Sequence, residues 1–152
     1  MKILIAVDGS EYSKAAVAEA CHLIIRPDST EIKIISAYED AYPITAEPFA
    51  ISADYYQKVD EAVQQQTTIF LSEAESQCRS FFPGVTMNLT TELMHGAPDK
   101  AIIETAKNWG ADLIVVGSHG RGFWGRLLGS VSDGVVHHAP CSVLIVRKGA
   151  VQ

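Results

Sequence analysis

Apolar residues along the chain fall into two kinds of run. Short, nearly unbroken stretches at residues 2–7, 32–38, 113–116 and 142–146 are rich in Ile, Val and Leu, as in strands covered on both faces of a parallel sheet. Between them, apolar positions recur at helical spacing. Ala16, Val17, Ala20, Leu23 and Ile24 follow Ser10 and Ser13, either of which can cap a helix that Pro27 ends. Over residues 53–82 a long helix carries Tyr56, Val59, Val63, Phe70, Ala74, Cys78 and Phe81 on one stripe and stops at Pro83-Gly84. Val85, Met87 and Leu89 alternate with polar neighbours as in an edge strand with one wet face, extended by Leu93 and Met94. Pro98 suits the first turn of a helix running to Trp109 before Gly110, and a last helix starts near Ser130 and runs to His138. Residues 42–49, with two prolines, continue neither element and are the natural candidate for a mobile flap. This regular alternation predicts an α/β fold: an open, doubly wound, five-stranded parallel sheet with helices on both faces.

The fourth apolar run delivers the chain to Gly117-Ser118-His119-Gly120, and Gly129-Ser130 opens the last helix. Five glycines within residues 117–129 let the backbone take positive φ and come close to a ligand, because no Cβ stands in the way. The helix start adds unpaired amides and the positive end of its dipole, which suit a phosphate. A Walker loop is absent, and the bare Gly-x-Gly-x-x-Gly spacing of Gly120, Gly122 and Gly125 does not lie directly between a strand and its helix. No nucleophile, base and orienting group can be assembled from the sequence.

Gly117-Ser-His-Gly120 with Gly129-Ser130, the Ala6-Val7-Asp8 turn, the Gly96-Ala97-Pro98 turn and the closing His138-Ala-Pro-Cys-Ser-Val-Leu-Ile-Val146 resemble the universal stress protein family over essentially the whole chain. Eight residues separate Gly120 from Gly129, one fewer than in the family's nucleotide-binding pattern. The resemblance implies an adenine nucleotide alpha hydrolase-like fold with strand order 3-2-1-4-5 and a switch of direction between the first and fourth strands. Ligands of such sheets sit at the carboxyl ends flanking the switch, here Asp8 and Gly117. The implied ligand is ATP or another adenine nucleotide. Its phosphates would lie against Gly117, Ser118, His119 and Gly120 and the amides of Gly129, Ser130 and Val131, with the Ser130 and Ser132 hydroxyls as further donors. Asp8 would sit near the ribose or a phosphate-bound divalent cation such as Mg, and the Ala6, Val7 and Ala37 backbones beside the adenine. Asp8 can at the same time cap the first helix, and for His119 a hydrogen bond in support of the loop stands beside a phosphate contact. The implied function is an ATP-binding regulatory protein of the stress response with slow or no hydrolysis. The alternatives are an ATP-consuming enzyme using the same crevice and a dimeric interaction module that has lost the nucleotide.

Composition narrows the partners. The 152 residues suit a single domain, and 47% hydrophobic residues are enough for a core. A net charge of -6 without any run of Lys or Arg argues against a nucleic-acid face. The few apolar residues between Lys2 and Asp8 are too short for a signal peptide, and no run suits a membrane span. Cys21, Cys78 and Cys141 are far apart in sequence and lack a Cys-x-x-Cys spacing, so they read as reduced core thiols of a cytoplasmic protein rather than a disulfide framework or zinc site. In the implied order Ser142–Val146 is an edge strand without inward charge or mid-strand proline, which predicts a homodimer through that strand.

Overall fold

The strands that the apolar runs predict form one sheet. In the computed structural model, which describes residues 1–40, 52–120 and 128–148, β1 (Lys2–Ala6), β2 (Glu31–Tyr38), β3 (Asn88–His95), β4 (Leu113–Gly117) and β5 (Ser142–Val146) lie in the order β3-β2-β1-β4-β5. Every pairing is parallel. The flap expected over residues 42–49 and the loop centre at 121–127 lie outside the described residues. Helices α1 (Glu11–Leu23) and α2 (Ala53–Ser80) cover one face, where Ile3, Ile5, Ile32, Ile34 and Val115 meet Val17, Ala20 and Ala74. On the other face α3 (Pro98–Trp109) and α4 (Ser130–His138) bring Ile102, Ala106 and Val135 onto Leu4, Ile35 and Ile114. The period of two along each strand therefore sorts its side chains between two cores. Among the described residues no helix is long and apolar enough to cross a membrane.

Two expectations need correction. The edge strand starts at Asn88, not Val85: β2 begins at Glu31, whose register partner is Asn88, so residues 85–87 have no strand to pair with. Met87 nevertheless enters the core, while Val85 is exposed. The stripe on α2 is buried only in its second half, at Thr67, Leu71, Ala74 and Cys78. Its 28 residues run about 42 Å at the helical rise, whereas the eight-residue β2 and β3 span about 26 Å. The first half of α2 thus overruns the sheet, and Tyr56, Val59 and Val63 are half-buried.

At the carboxyl edge of the sheet, Asp40 and His95 form an ion pair with 2.7 Å between Oδ1 and Nε2. His95 also stacks edge-on against Tyr38, its register partner. The hydrogen bond to Asp40, and then that carboxylate's charge, raise the His95 pKa, with Asp60 adding to the effect. A raised histidine pKa favours the folded state most while the unfolded histidine is still protonated, below about 6.5, and the gain is lost as pH rises through the higher folded value. We expect denaturant midpoints to fall across that window in the native protein and to stay flatter in Asp40→Asn. Equal pH dependence in the two proteins would show that the pair is not its source. Both side chains are largely in water, so the change is small beside that of a core substitution.

Candidate functional site

The strand order reverses between β1 and β4, and the chain leaves both strands at the same end of the sheet. A cleft opens there because the loops after two neighbouring strands depart to opposite faces. Its volume is about 440 Å³, within the range of small-molecule sites. Ala6, Ile35, Ala37, Val116, Pro98 and Ile102 make an apolar wall, and Asp8, Gly117, His119, Gly120, Gly129, Ser130, Val131 and Ser132 bring polar groups to the same space. A flat aromatic base suits the first part and a phosphate the second.

The polar end is built by the start of α4. Gly129 is its N-cap in extended conformation, with no side-chain cap, and the Gly129 N–H donates to the Ser118 carbonyl at 2.9 Å. The amides of Ser130, Val131 and Ser132 belong to the first turn, where no intrahelical carbonyl reaches them, and all three residues line the cleft. The helix dipole adds partial positive charge at the same point. The amides left over at this helix start thus begin at Ser130, the Gly129 N–H being taken by Ser118.

Other expected donors are used within the protein. The Ser132 hydroxyl is buried and donates to the carbonyls of Ser118 and Gly129, at 3.0 and 2.9 Å. It ties the loop to the helix, so its proton is used within the protein. Ser118 is 1% exposed and does not line the cleft. Its N–H donates to the Val146 carbonyl and its hydroxyl bonds His119 Nδ1 at 3.0 Å. That bond and a ring contact with Tyr12 at 5.1 Å between centroids hold the imidazole of His119 at the cleft wall. Val7 contributes main chain, since its side chain lies in the core beneath α1 and α2. Its N–H donates to Ile35 and its carbonyl accepts from Ser36 Oγ at 2.6 Å.

Asp8 stands at the exit of β1. Its Oδ1 accepts from both the Ser10 N–H and the Ser10 hydroxyl, at 3.0 and 2.6 Å, while Ser10 is the N-cap of α1 and accepts from the Ser13 N–H. Asp8 therefore braces the capping residue and is not the cap itself. Its Oδ2 faces Gly120, where a Cβ would lie 2.9 Å away.

The described loop glycines do not supply the positive φ expected of them. Gly117, Gly120 and Gly129 do not adopt positive φ; among the described residues that conformation belongs to Gly9, Gly84, Gly96 and Gly110. At Gly117 the requirement is space, because a Cβ would lie 2.8 Å from the Tyr12 main-chain carbon. The first turn of α1 lies against that strand end, so a side chain there would push α1 away before any ligand arrived.

Ile35, Val116, Pro98, Ile102 and Ser13 also line the cleft, although the sequence placed none of them at a site. Ile35 was accessible from the strand period, two residues before Ala37 on the same face. Ile102 follows Pro98 by one helical turn, so the two share a face of α3.

The model of the universal stress protein family matches residues 1–147. Universal stress protein Sll1388 of Synechocystis sp. is 30% identical over 154 aligned positions, covering 96% of this chain and 97% of that protein. Universal stress protein UspA from Lactobacillus plantarum has a similar structure, with a TM-score of 0.76, 27% identity and 97% of each chain covered. A universal stress protein solved in complex with cAMP gives a TM-score of 0.65 at 27% identity, covering 97% of this chain and 96% of that one. With the strand order now observed and relatives that run nearly end to end along it, the protein belongs to the universal stress protein family.

Proposed function

We propose that this protein binds an adenine nucleotide, ATP foremost, in the cleft between β1 and β4 and acts as a nucleotide-dependent regulator in the stress response, with hydrolysis slow or absent. The observation that carries the proposal is the first turn of α4, whose Ser130, Val131 and Ser132 amides open at one end of a cleft with an apolar wall at the other. Phosphates occupy the amide end. The adenine lies against Ala37, Ile35, Pro98 and Ile102, and Asp8 reaches the ribose. The same carboxylate suits a divalent cation held by the phosphates, since hard cations take carboxylate oxygens. The cAMP complex of the similar structure favours an adenine ligand. Calorimetric titration of the purified protein with ATP, ADP, AMP and cAMP tests the proposal, and silence with all four would reject it. Continuous phosphate release from ATP would instead favour an enzyme.

The proposal includes a homodimer through β5. The Val146 carbonyl accepts from Ser118, so the backbone groups of Ser142, Leu144 and Val146 point toward β4, and those of Val143 and Ile145 point to the open edge. Proline at Val143 removes an outward donor and spares the ladder to β4, whereas proline at Leu144 would break the protein's own sheet. We expect the native protein to sediment as a dimer at micromolar concentration and Val143→Pro to give a folded monomer. A native monomer, or a Val143→Pro dimer of unchanged affinity, would exclude this interface.

A further inference from the structure

Cys21, in the last turn of α1, and Cys78, in the last turn of α2, meet where the two helices cross the sheet. Their sulfurs are 3.5 Å apart, and the residues are 4% and 0% exposed. Neither lines the nucleotide cleft. From this juxtaposition we infer that the pair is a redox-modification site, at which a peroxide converts the two thiols into an intramolecular Cys21–Cys78 disulfide that staples α1 to α2.

The geometry asks for little movement. A disulfide bond is about 2.05 Å long, so the observed 3.5 Å leaves about 1.5 Å to close. Both residues stand within two positions of their helix ends, where the last turn yields most readily. The seam is covered by His22 and Phe81, stacked edge-on with centroids 4.7 Å apart. Fraying of this end lets a molecule as small as hydrogen peroxide reach the sulfurs without unfolding the sheet.

The two thiols are not equivalent. Cys21 donates its S–H toward Cys78, and this bond, followed by burial, pushes the Cys21 pKa up. Receiving the bond lowers the pKa of Cys78, and Arg79 helps, against the opposing effects of burial and Glu75. Cys78 is therefore the first thiolate and the attacking sulfur. It attacks one peroxide oxygen, the O–O bond breaks, and the departing hydroxide takes a proton to become water, leaving Cys78 as a sulfenic acid. The Cys21 sulfur then attacks the Cys78 sulfur. The S–O bond breaks, the S–S bond forms, and the Cys21 proton leaves with the hydroxide as a second water. Two thiols have lost two electrons, and one peroxide has been reduced to two waters.

The test treats the native protein with hydrogen peroxide, alkylates it after denaturation and maps the peptides by mass spectrometry. The expected product is a single chain with one alkyl group, on Cys141, and two hydrogens fewer than the singly alkylated reduced chain, with Cys21 and Cys78 peptides linked; dithiothreitol restores the two hydrogens and frees both thiols for a second round of alkylation. Cys141→Ser should give the same linkage. Cys21→Ser, which keeps a donor toward Cys78 but has no sulfur to resolve it, should instead leave Cys78 as a sulfenic acid that dimedone traps; if that variant does not fold, the linkage map of the native protein decides alone. Persistence of both alkylatable thiols after methionine oxidation shows that peroxide has acted, or linkage of either cysteine to Cys141, would overturn the inference.

Discussion

Gly9→Ala is expected to destabilise the protein by about 2–5 kcal/mol, from two separable sources. Gly9 has φ +76, a conformation that costs an L-residue with a Cβ about 1–2 kcal/mol. The new Cβ would also lie 2.3 Å from Cδ1 and 2.7 Å from Cγ of Phe70 on α2. Both residues are half-buried, and moving the ring off the turn costs about 1–3 kcal/mol, the range for overpacking. Chemical denaturation in the native and Phe70→Ala backgrounds separates the two, because alanine removes the Cγ and Cδ1 atoms that the new Cβ would meet and leaves the dihedral cost. A loss below about 1 kcal/mol in the native background, or an equal loss in both, would contradict this account. The position also matters for function: Gly9 follows Asp8 at the exit of β1, so the contact with Phe70 joins α2 to the turn that aims the carboxylate.

Elements bounded by local chemistry were legible in the sequence. Pro98 and Gly110 bracket α3, and Pro140 precedes β5, because a proline or a left-handed glycine acts on its own neighbours whatever the fold. The cleft was legible for a related reason. Asp8 and Gly117 end strands, and strand ends at a switch point converge by topology. What stayed hidden depends on partners remote in sequence. Nothing near Gly117 reveals that Tyr12 occupies the space of its missing side chain, and nothing near Ser118 shows that its amide is taken by Val146. The start of β3 followed from where β2 begins, not from the alternation of Val85, Met87 and Leu89. The meeting of Cys21 with Cys78 likewise requires that α1 and α2 share one face of the sheet. The interval between the residues carries no such information.

A phenylalanine at Ala37 should abolish adenine-nucleotide binding while leaving the fold intact, with affinity reduced at least about a hundredfold, or about 2.7 kcal/mol. Ala37 lies two residues after Ile35 on the strand face toward α3 and lines the cleft together with Pro98 and Ile102. It is half-buried against open space rather than packed core, so a larger side chain can enter the cleft instead of straining the sheet. A phenyl ring there would occupy the volume assigned to the base and present the same apolar surface, compensating for its own burial. It would leave the α4 amides untouched, because β1 lies between β2, which carries Ala37, and β4, whose loop leads to α4. Binding of ATP and AMP should therefore fall together, the loss arising from the adenine they share. Calorimetry on native and Ala37→Phe proteins, with circular dichroism and denaturation to verify folding, measures the effect. Undiminished binding by a folded Ala37→Phe protein would place the base outside this wall; a selective loss of ATP with AMP unaffected would show that the variant disturbs the phosphate end instead.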